Sequence, residues 1–319
     1  MNGIALCGLS YELGDQVRAY KDAENFAAVM ARHRIPDLPA LMGFGCYRRT
    51  SDDILTLAIK SARKTLASTG LSGEDIDVVF FCSTNFGVIG GDGREYVYQL
   101  CKQLGLSRAY PVGITLNNCT TFLSALKIAQ SMLPGSHYKN ILVVTSDKVY
   151  DETQRCIQYG IFSDSAASCV VSKELSQGFE LLASDFRSDY RLIESGAGLN
   201  DDAIYASVQQ NLLAAANYRV SDITKTFTNN IFVPIVRAKE TRLGFSDRQL
   251  YLDNVAEKAH CFAADALINL TDYAANRQDE DGSLYVLSAD AEGLRVSLLL
   301  GQLQPRAREL RAYRQRRMN

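Results

Sequence analysis

Several absences narrow what this chain of 319 residues can be. It has no Cys-x-x-Cys pair: its eight cysteines, at 7, 46, 82, 101, 119, 156, 169 and 261, are scattered singly. That spread matches neither a zinc site nor a disulfide framework and reads as reduced thiols, most of them small core residues. No apolar run approaches the roughly 18–20 residues that span a bilayer, so no membrane segment is expected. The stretch Met1–Gly8 carries neither the basic segment nor the full apolar core of a secretory signal, and a cytoplasmic protein is expected. Net charge is only −2, which provides no field to recruit nucleic acid or a membrane surface. Tryptophan is missing, and imidazole is limited to His33, His137 and His260.

What is present is an ordinary globular composition, 47% hydrophobic and 22% charged. The length suits two halves of about 150 residues each. Val78–Cys82, Ile141–Thr145 and Ala167–Val171 are nearly unbroken apolar runs, as in strands covered on both faces. Helical patterns separate them. One covers Asp52–Ser68, with Ser51 or Asp52 as its cap, and another covers Glu95–Leu104. This alternation predicts an α/β fold with a mainly parallel sheet. Further on, Ile231–Val236, Leu284–Ser288 and Arg295–Leu300 read as strands, and Asp247 onward and Ala263–Ala275 as helices. The division falls at 1–172 and 173–303, followed by a tail at 304–319 with six arginines against one glutamate, a net +5. That tail reads as a solvated terminal segment or a dock for an acidic partner.

Cys119 is the candidate for chemistry. In Gly113-Ile-Thr-Leu-Asn-Asn-Cys119-Thr-Thr-Phe-Leu-Ser-Ala-Leu126, a short β-prone run ends in polar residues and an apolar, buried helix begins at the cysteine. A thiol at a helix N-terminus feels its partial positive charge, which favours the thiolate that a covalent acyl carrier needs. The backbone N–H at that helix start is also a natural oxyanion donor.

Leu116-Asn-Asn-Cys-Thr-Thr-Phe-Leu-Ser-Ala-Leu126 resembles the nucleophile segment of the ketoacyl-carrier-protein synthase III group of the thiolase superfamily. Ser51–Thr84, Ile141–Asp147 and Tyr159–Val171 resemble, in order, that family's first long helix and strand, the strand after the nucleophile helix, and its Phe-Gly-Asp-Gly-Ala-Gly-Ala segment, with Ser163, Ser165 and Ala167 in place of glycines. The resemblance implies a thiolase-like five-layered αβαβα fold built from two similar halves, a homodimer, and acyl transfer through a Cys119 thioester.

The departures from the family are informative. The family's His follows a Val-Pro, where this chain has Ile235; its Asn position is taken by His260 in Ala259-His-Cys-Phe-Ala-Ala-Asp265. A decarboxylating condensation uses two donors to hold the developing enolate oxygen, and here one is lost and the other replaced. A cysteine and an imidazole remain, able to load an acyl group and then deprotonate an attacking alcohol or amine. Asp265, five residues on, can orient His260 as a third triad member. The resemblance is therefore strongest to the acyltransferase branch of the group, which forms esters or amides in natural-product pathways. The second oxyanion donor is expected from Glu292 or Gly293, and Phe86 and Ile235 are candidate pocket walls. Without a tryptophan to stack adenine, the donor is a phosphopantetheine arm of an acyl carrier protein as readily as acyl-coenzyme A, with Arg48, Arg49 and Arg94 as phosphate contacts or plain surface cations. No permanent cofactor or metal is expected, and the acceptor is a small molecule. The alternatives are a condensing ketoacyl synthase that tolerates these substitutions and a non-catalytic thiolase-fold partner subunit.

Overall fold

The computed structural model describes residues 3–84, 86, 93–195, 202–276 and 282–303. The Arg-rich tail and most of the polar turn before residue 282 lie outside them.

Nine strands form the main sheet: β1 (Ala5–Leu13), β2 (Val78–Cys82), β3 (Tyr110–Ile114), β4 (Asn140–Asp147), β5 (Ser165–Ser172), β6 (Phe179–Ser188), β7 (Lys225–Phe227), β8 (Leu284–Ala291) and β9 (Leu294–Gln302). Their order is β7-β8-β9-β6-β1-β5-β4-β2-β3. Two pieces meet at β1 and β6, which share only two paired positions, Ala5↔Glu180 and Leu6↔Phe179. Within each piece the pattern repeats. β2 runs parallel to β4, which is antiparallel to β5, which is antiparallel to β1. Likewise β7 is parallel to β8, β8 antiparallel to β9, and β9 antiparallel to β6. The mainly parallel sheet expected from the sequence is thus a mixed one. Apolar residues at every position report burial of both faces and carry no information on strand direction.

Alternate residues of each strand point to opposite faces, and the core divides accordingly. Val79, Phe81, Leu142, Val144 and Val170 pack with Ile54, Ala58, Ala62 and Leu66 of α1 (Ile54–Thr69) and Leu100 of α2 (Gly93–Leu104). Val78, Phe80, Ile141, Val143 and Cys169 face inward, as do Tyr285, Leu287, Val296 and Leu298 of the other piece. Between them lie two buried helices, α3 (Thr121–Met132) and α6 (Asp265–Asn276). On the far side, Leu284, Val286 and Leu299 pack against Leu212 and Leu213 of α4 (Asp202–Ala216). The layers are α1/α2, sheet, α3/α6, sheet, α4: the five-layered αβαβα arrangement of two similar halves. Full burial of each Leu, Ile or Phe in these clusters contributes about 1.5–3 kcal/mol.

Two local expectations change. The α1 cap is Asp53, whose carboxylate accepts from the Thr56 N–H at 2.7 Å, rather than Ser51 or Asp52. Ile231–Val236 is not a strand. Pro234 sits in the first turn of a helix, α5 (Val233–Arg242), where its fixed φ and missing N–H suit helix initiation, and the strand is the shorter β7 just before it. Among the described residues, no helix is long and apolar enough to cross a membrane.

Candidate active site

The two middle-layer helices bring the candidate residues together. Cys119 lies in a 3-10 turn, Asn118–Thr120, that leads into α3, so it precedes the α-helix by two residues rather than opening it. Asn118 adopts a left-handed φ of 47°, a conformation asparagine tolerates better than most side chains. Thr120 N–H donates to Asn117 O at 3.0 Å and Thr121 N–H to Asn118 O, closing the turn around the cysteine.

His260 approaches from the second half, ahead of α6. A parallel bridge to Phe162 fixes its backbone, with His260 N–H donating to Ile161 O and Ser163 N–H donating to His260 O, both at 2.8 Å. Its ring stacks on Phe162 at 5.0 Å, and Phe162 stacks on Phe262 at 4.3 Å. The Cys119 sulfur is 3.4 Å from His260 Nε2, and His260 Nδ1 is 2.5 Å from Asp265 Oδ2. Asp265 also accepts backbone N–H donors from Asn230 and Cys261, each at 2.7 Å, so its carboxylate cannot swing away from the imidazole. Burial opposes charging of the His260 ring and is the largest influence on it. Asp265 and the Cys119 sulfur outweigh burial, and the pKa is raised to about 10. The imidazole therefore holds its proton at neutral pH, with Nε2 3.4 Å from the Cys119 sulfur.

The pair opens into a cavity of about 300 Å³ lined by residues of both halves. Thr84, Asn118 and Tyr159 come from the first half, and Asn229, Ile231, Lys239, Phe262, Asp290 and Glu292 from the second. Burial, reinforced by Cys119 and Glu292, pushes the Tyr159 phenol up to about 12, so it stays neutral and able to donate.

Of the residues singled out in the sequence, Cys119, His260 and Asp265 converge. His33 and His137 are exposed. Ile235 does not reach the cavity; in the first turn of α5 it packs beside the cluster that holds Phe232 and Met42. Sitting directly after β7, Asn229 is what this segment contributes, together with Ile231. Phe86 also lies elsewhere: its ring meets Phe81 edge-on at 5.1 Å on the α1 side of the sheet. Gly293 occupies the β8–β9 turn with φ 68°, its carbonyl accepting from Asp189, while Ala291 and Glu292 line the cavity. Arg48, Arg49 and Arg94 are not among its lining residues, and Arg49 pairs with Glu152 at 3.2 Å. Sequence reasoning missed Asn229, Phe162 and Lys239–Asp290. A polar Asn-Asn pair directly after a strand, and a lone Asp near the end of a buried strand with Arg five residues later, were the available signals.

Residues 115–190 match the family described as 3-oxoacyl-(acyl-carrier-protein) synthase III. The chain is 23% identical over 263 residues to the beta-ketoacyl-(acyl-carrier-protein) synthase III of Rickettsia massiliae, covering 75% of this chain and 80% of that protein. The 3-oxoacyl-(acyl-carrier-protein) synthase III of Aquifex aeolicus superposes with a TM-score of 0.77 at 19% identity, covering 94% of this chain and all of the other. An acyltransferase designated ChlB3 gives 0.77 at 18% identity, covering 95% and 98%. OleA of Xanthomonas campestris, in a single-substitution variant, gives 0.75 at 15% identity, covering 94% and 98%. The chain thus shares the fold of these proteins, and its residues 115–190 are similar to the synthase III family.

Proposed function

We propose that the chain is an acyltransferase that carries its acyl group on Cys119 and passes it to the oxygen or nitrogen of a small acceptor. The observation that carries this reading is the continuous relay from Cys119 Sγ through the His260 ring to Asp265, at 3.4 and 2.5 Å. The Cys119 thiolate attacks the carbonyl of an acyl thioester, of coenzyme A or of a carrier-protein phosphopantetheine. The tetrahedral oxyanion forms beside the backbone N–H of Cys119. Collapse breaks the old C–S bond, and the His260 imidazolium gives its proton to the departing thiolate. In the acyl-enzyme the sulfur is a thioester and carries no charge, so one of the influences that raise the His260 pKa is gone. The neutral ring can then take a proton from an acceptor hydroxyl or amine as it attacks the thioester, while Asp265 steadies the returning charge.

One observation favours a second reading. Asn229 lines the same cavity as Cys119 and His260, so an amide and an imidazole both flank the nucleophile. Two donors of that kind suit a developing enolate. Against condensation stands the Asp265 pairing, which commits His260 Nδ1 and suits the ring to shuttling protons. Homodimerisation and a role in secondary metabolism belong to the same proposal and rest on the resemblance alone.

The test is intact-mass analysis after incubation with acyl-coenzyme A. The wild type gains one acyl mass and Cys119→Ala gains none. Acylation that persists in Cys119→Ala defeats the proposal. Release of carbon dioxide from a malonyl thioester, coupled to chain extension, selects the condensing reading instead.

A further inference from the structure

Part of the cavity wall is ionic, and the proposed chemistry does not use it. Lys239 of α5 and Asp290 of β8 both line the cavity, and each is only 5% exposed. Lys239 Nζ donates to Asp290 Oδ2. The other carboxylate oxygen accepts from Arg295 Nη1 at 2.9 Å, and the same nitrogen reaches Glu240 Oε1 at 3.2 Å. Asp290 and Arg295 are cross-strand partners in β8 and β9. The Tyr205 ring lies under both cations, 5.4 Å from Lys239 and 5.0 Å from Arg295. The Asp290 N–H donates to Asn229 Oδ1 at 2.8 Å, tying the cluster to the residue that follows β7. Burial pushes the Asp290 carboxyl up, and Arg295 and Lys239 outweigh it, holding it below the usual carboxylate range.

Two cations and two anions balance one another, so the cluster is neutral as a whole. An ammonium has three N–H donors. Asp290 takes one, and the nearest Glu240 oxygen, at 3.9 Å, lies beyond hydrogen-bond reach. Donor capacity therefore remains for whatever occupies the cavity. A plain alkyl chain would strip water from the Lys239–Asp290 pair and return no hydrogen bond. A carboxylate would add a fifth, uncompensated charge. A neutral hydroxyl or carbonyl oxygen does neither.

We infer that Lys239 and Asp290 are specificity-determining residues that select an acyl group bearing a neutral oxygen function, a hydroxyl or keto group, over a plain alkyl chain of the same length. The inference rests on the reading that an acyl group sits on Cys119.

The test compares loading of Cys119 in the full-length chain by 3-hydroxybutyryl-, butyryl- and succinyl-coenzyme A, followed as mass gain against time. We expect 3-hydroxybutyryl to load roughly tenfold or more faster than butyryl, because an unpaired buried donor penalises the analogue that lacks the oxygen. In Lys239→Met the preference should fall below about threefold. That variant leaves Asp290 Oδ2 without its donor and the cluster with a net negative charge, so the paired neutral change Lys239→Gln with Asp290→Asn, checked for native circular dichroism, gives the same readout with packing kept. Equal loading by the 3-hydroxybutyryl and butyryl thioesters, faster loading by succinyl, or a preference unchanged in the paired variant overturns the inference. Loading by none of the three, or loading that survives Cys119→Ala, instead overturns the acyl-enzyme reading beneath it.

Discussion

The helices α3 and α6 occupy matching places in the two halves of the molecule, yet their N-termini are built differently. Each is a buried middle-layer helix, and each is entered through a 3-10 turn, Asn118–Thr120 in one and Phe262–Ala264 in the other. Each turn contains a non-glycine residue with positive φ, Asn118 at 47° and Phe262 at 54°. Asparagine visits that region readily, while phenylalanine does so only when its surroundings hold it there. Phe262 is held by its stack on Phe162. Beyond the turns the contrast grows. The first turns of α3 present Phe122, Leu123, Ala125 and Leu126 to the core. α6 opens on Asp265 and continues to Asn269 and Asp272, which bond to Thr228, Asn230, Asn254 and Tyr11. A helix start in an apolar setting suits a lone nucleophile that needs only backbone donors. A helix start backed by a polar network suits a proton carrier whose ring must be oriented. On the proposed reading, one scaffold position, used twice, takes two chemical roles.

The most severe break in this division of labour is removal of the proton carrier. His260→Ala should slow transfer from acyl-Cys119 to the acceptor by about 10²- to 10⁴-fold, measured as the decay of the acyl-enzyme mass with acceptor present. Asp265→Asn keeps the ring but loses the charge that raises its pKa. It should slow transfer by about 10²-fold or more and move the His260 titration, followed by NMR of the ring nitrogens, below its wild-type value of about 10. An unmoved titration would mean that the polar network behind α6 is structural only. Phe162→Leu removes the face on which the cationic ring stacks. A loss of about three- to thirtyfold in transfer, with the acid limb of the rate profile shifted down, would sharpen the comparison; an unaltered profile would reduce Phe162 to packing.

The gentlest test is the dependence of stability on pH. The folded-state pKa of His260 is raised to about 10 from an ordinary 6.5, so the folded protein keeps a proton that the unfolded chain releases across that window. This stabilisation is complete below pH 6.5 and disappears as pH rises through 10. The wild-type Tm should therefore fall more steeply than that of Asp265→Asn between pH 7 and 10, as read by thermal melts.

Some of this was legible in the chain. Cys119 stands in a local pattern, a polar turn running into a small-residue helix, and such a pattern survives in a single sequence; His260 and Asp265 were legible only through the resemblance to the synthase III group. The strands at 78–82, 141–145 and 167–171 were legible because burial on both faces leaves unbroken apolar runs. Asn229 was not legible. The β-branched run Ile231-Phe-Val-Pro-Ile-Val236 looks like a strand, and Ile235 was put at the site because it stands where the family's His follows a Val-Pro. The pairing of β7 with β8, Lys225↔Tyr285 to Phe227↔Leu287, sets where the chain leaves the sheet, and hence that Asn229 arrives at the cavity while Ile235 turns into a helix. Phe86 was misplaced for a related reason: an aromatic shows that it is buried, not on which side of a sheet.

By itself the sequence determined the elements that burial periodicity and turn chemistry write locally: the apolar strands, the buried helices, and a thiol and an imidazole each just ahead of one. The tertiary structure alone decided that these two helix starts, 141 residues apart, meet at 3.4 Å, and that Lys239 of α5 and Asp290 of β8 pair at the same cavity. Contacts of that range depend on strand order, direction and register, which are set by pairing between distant segments.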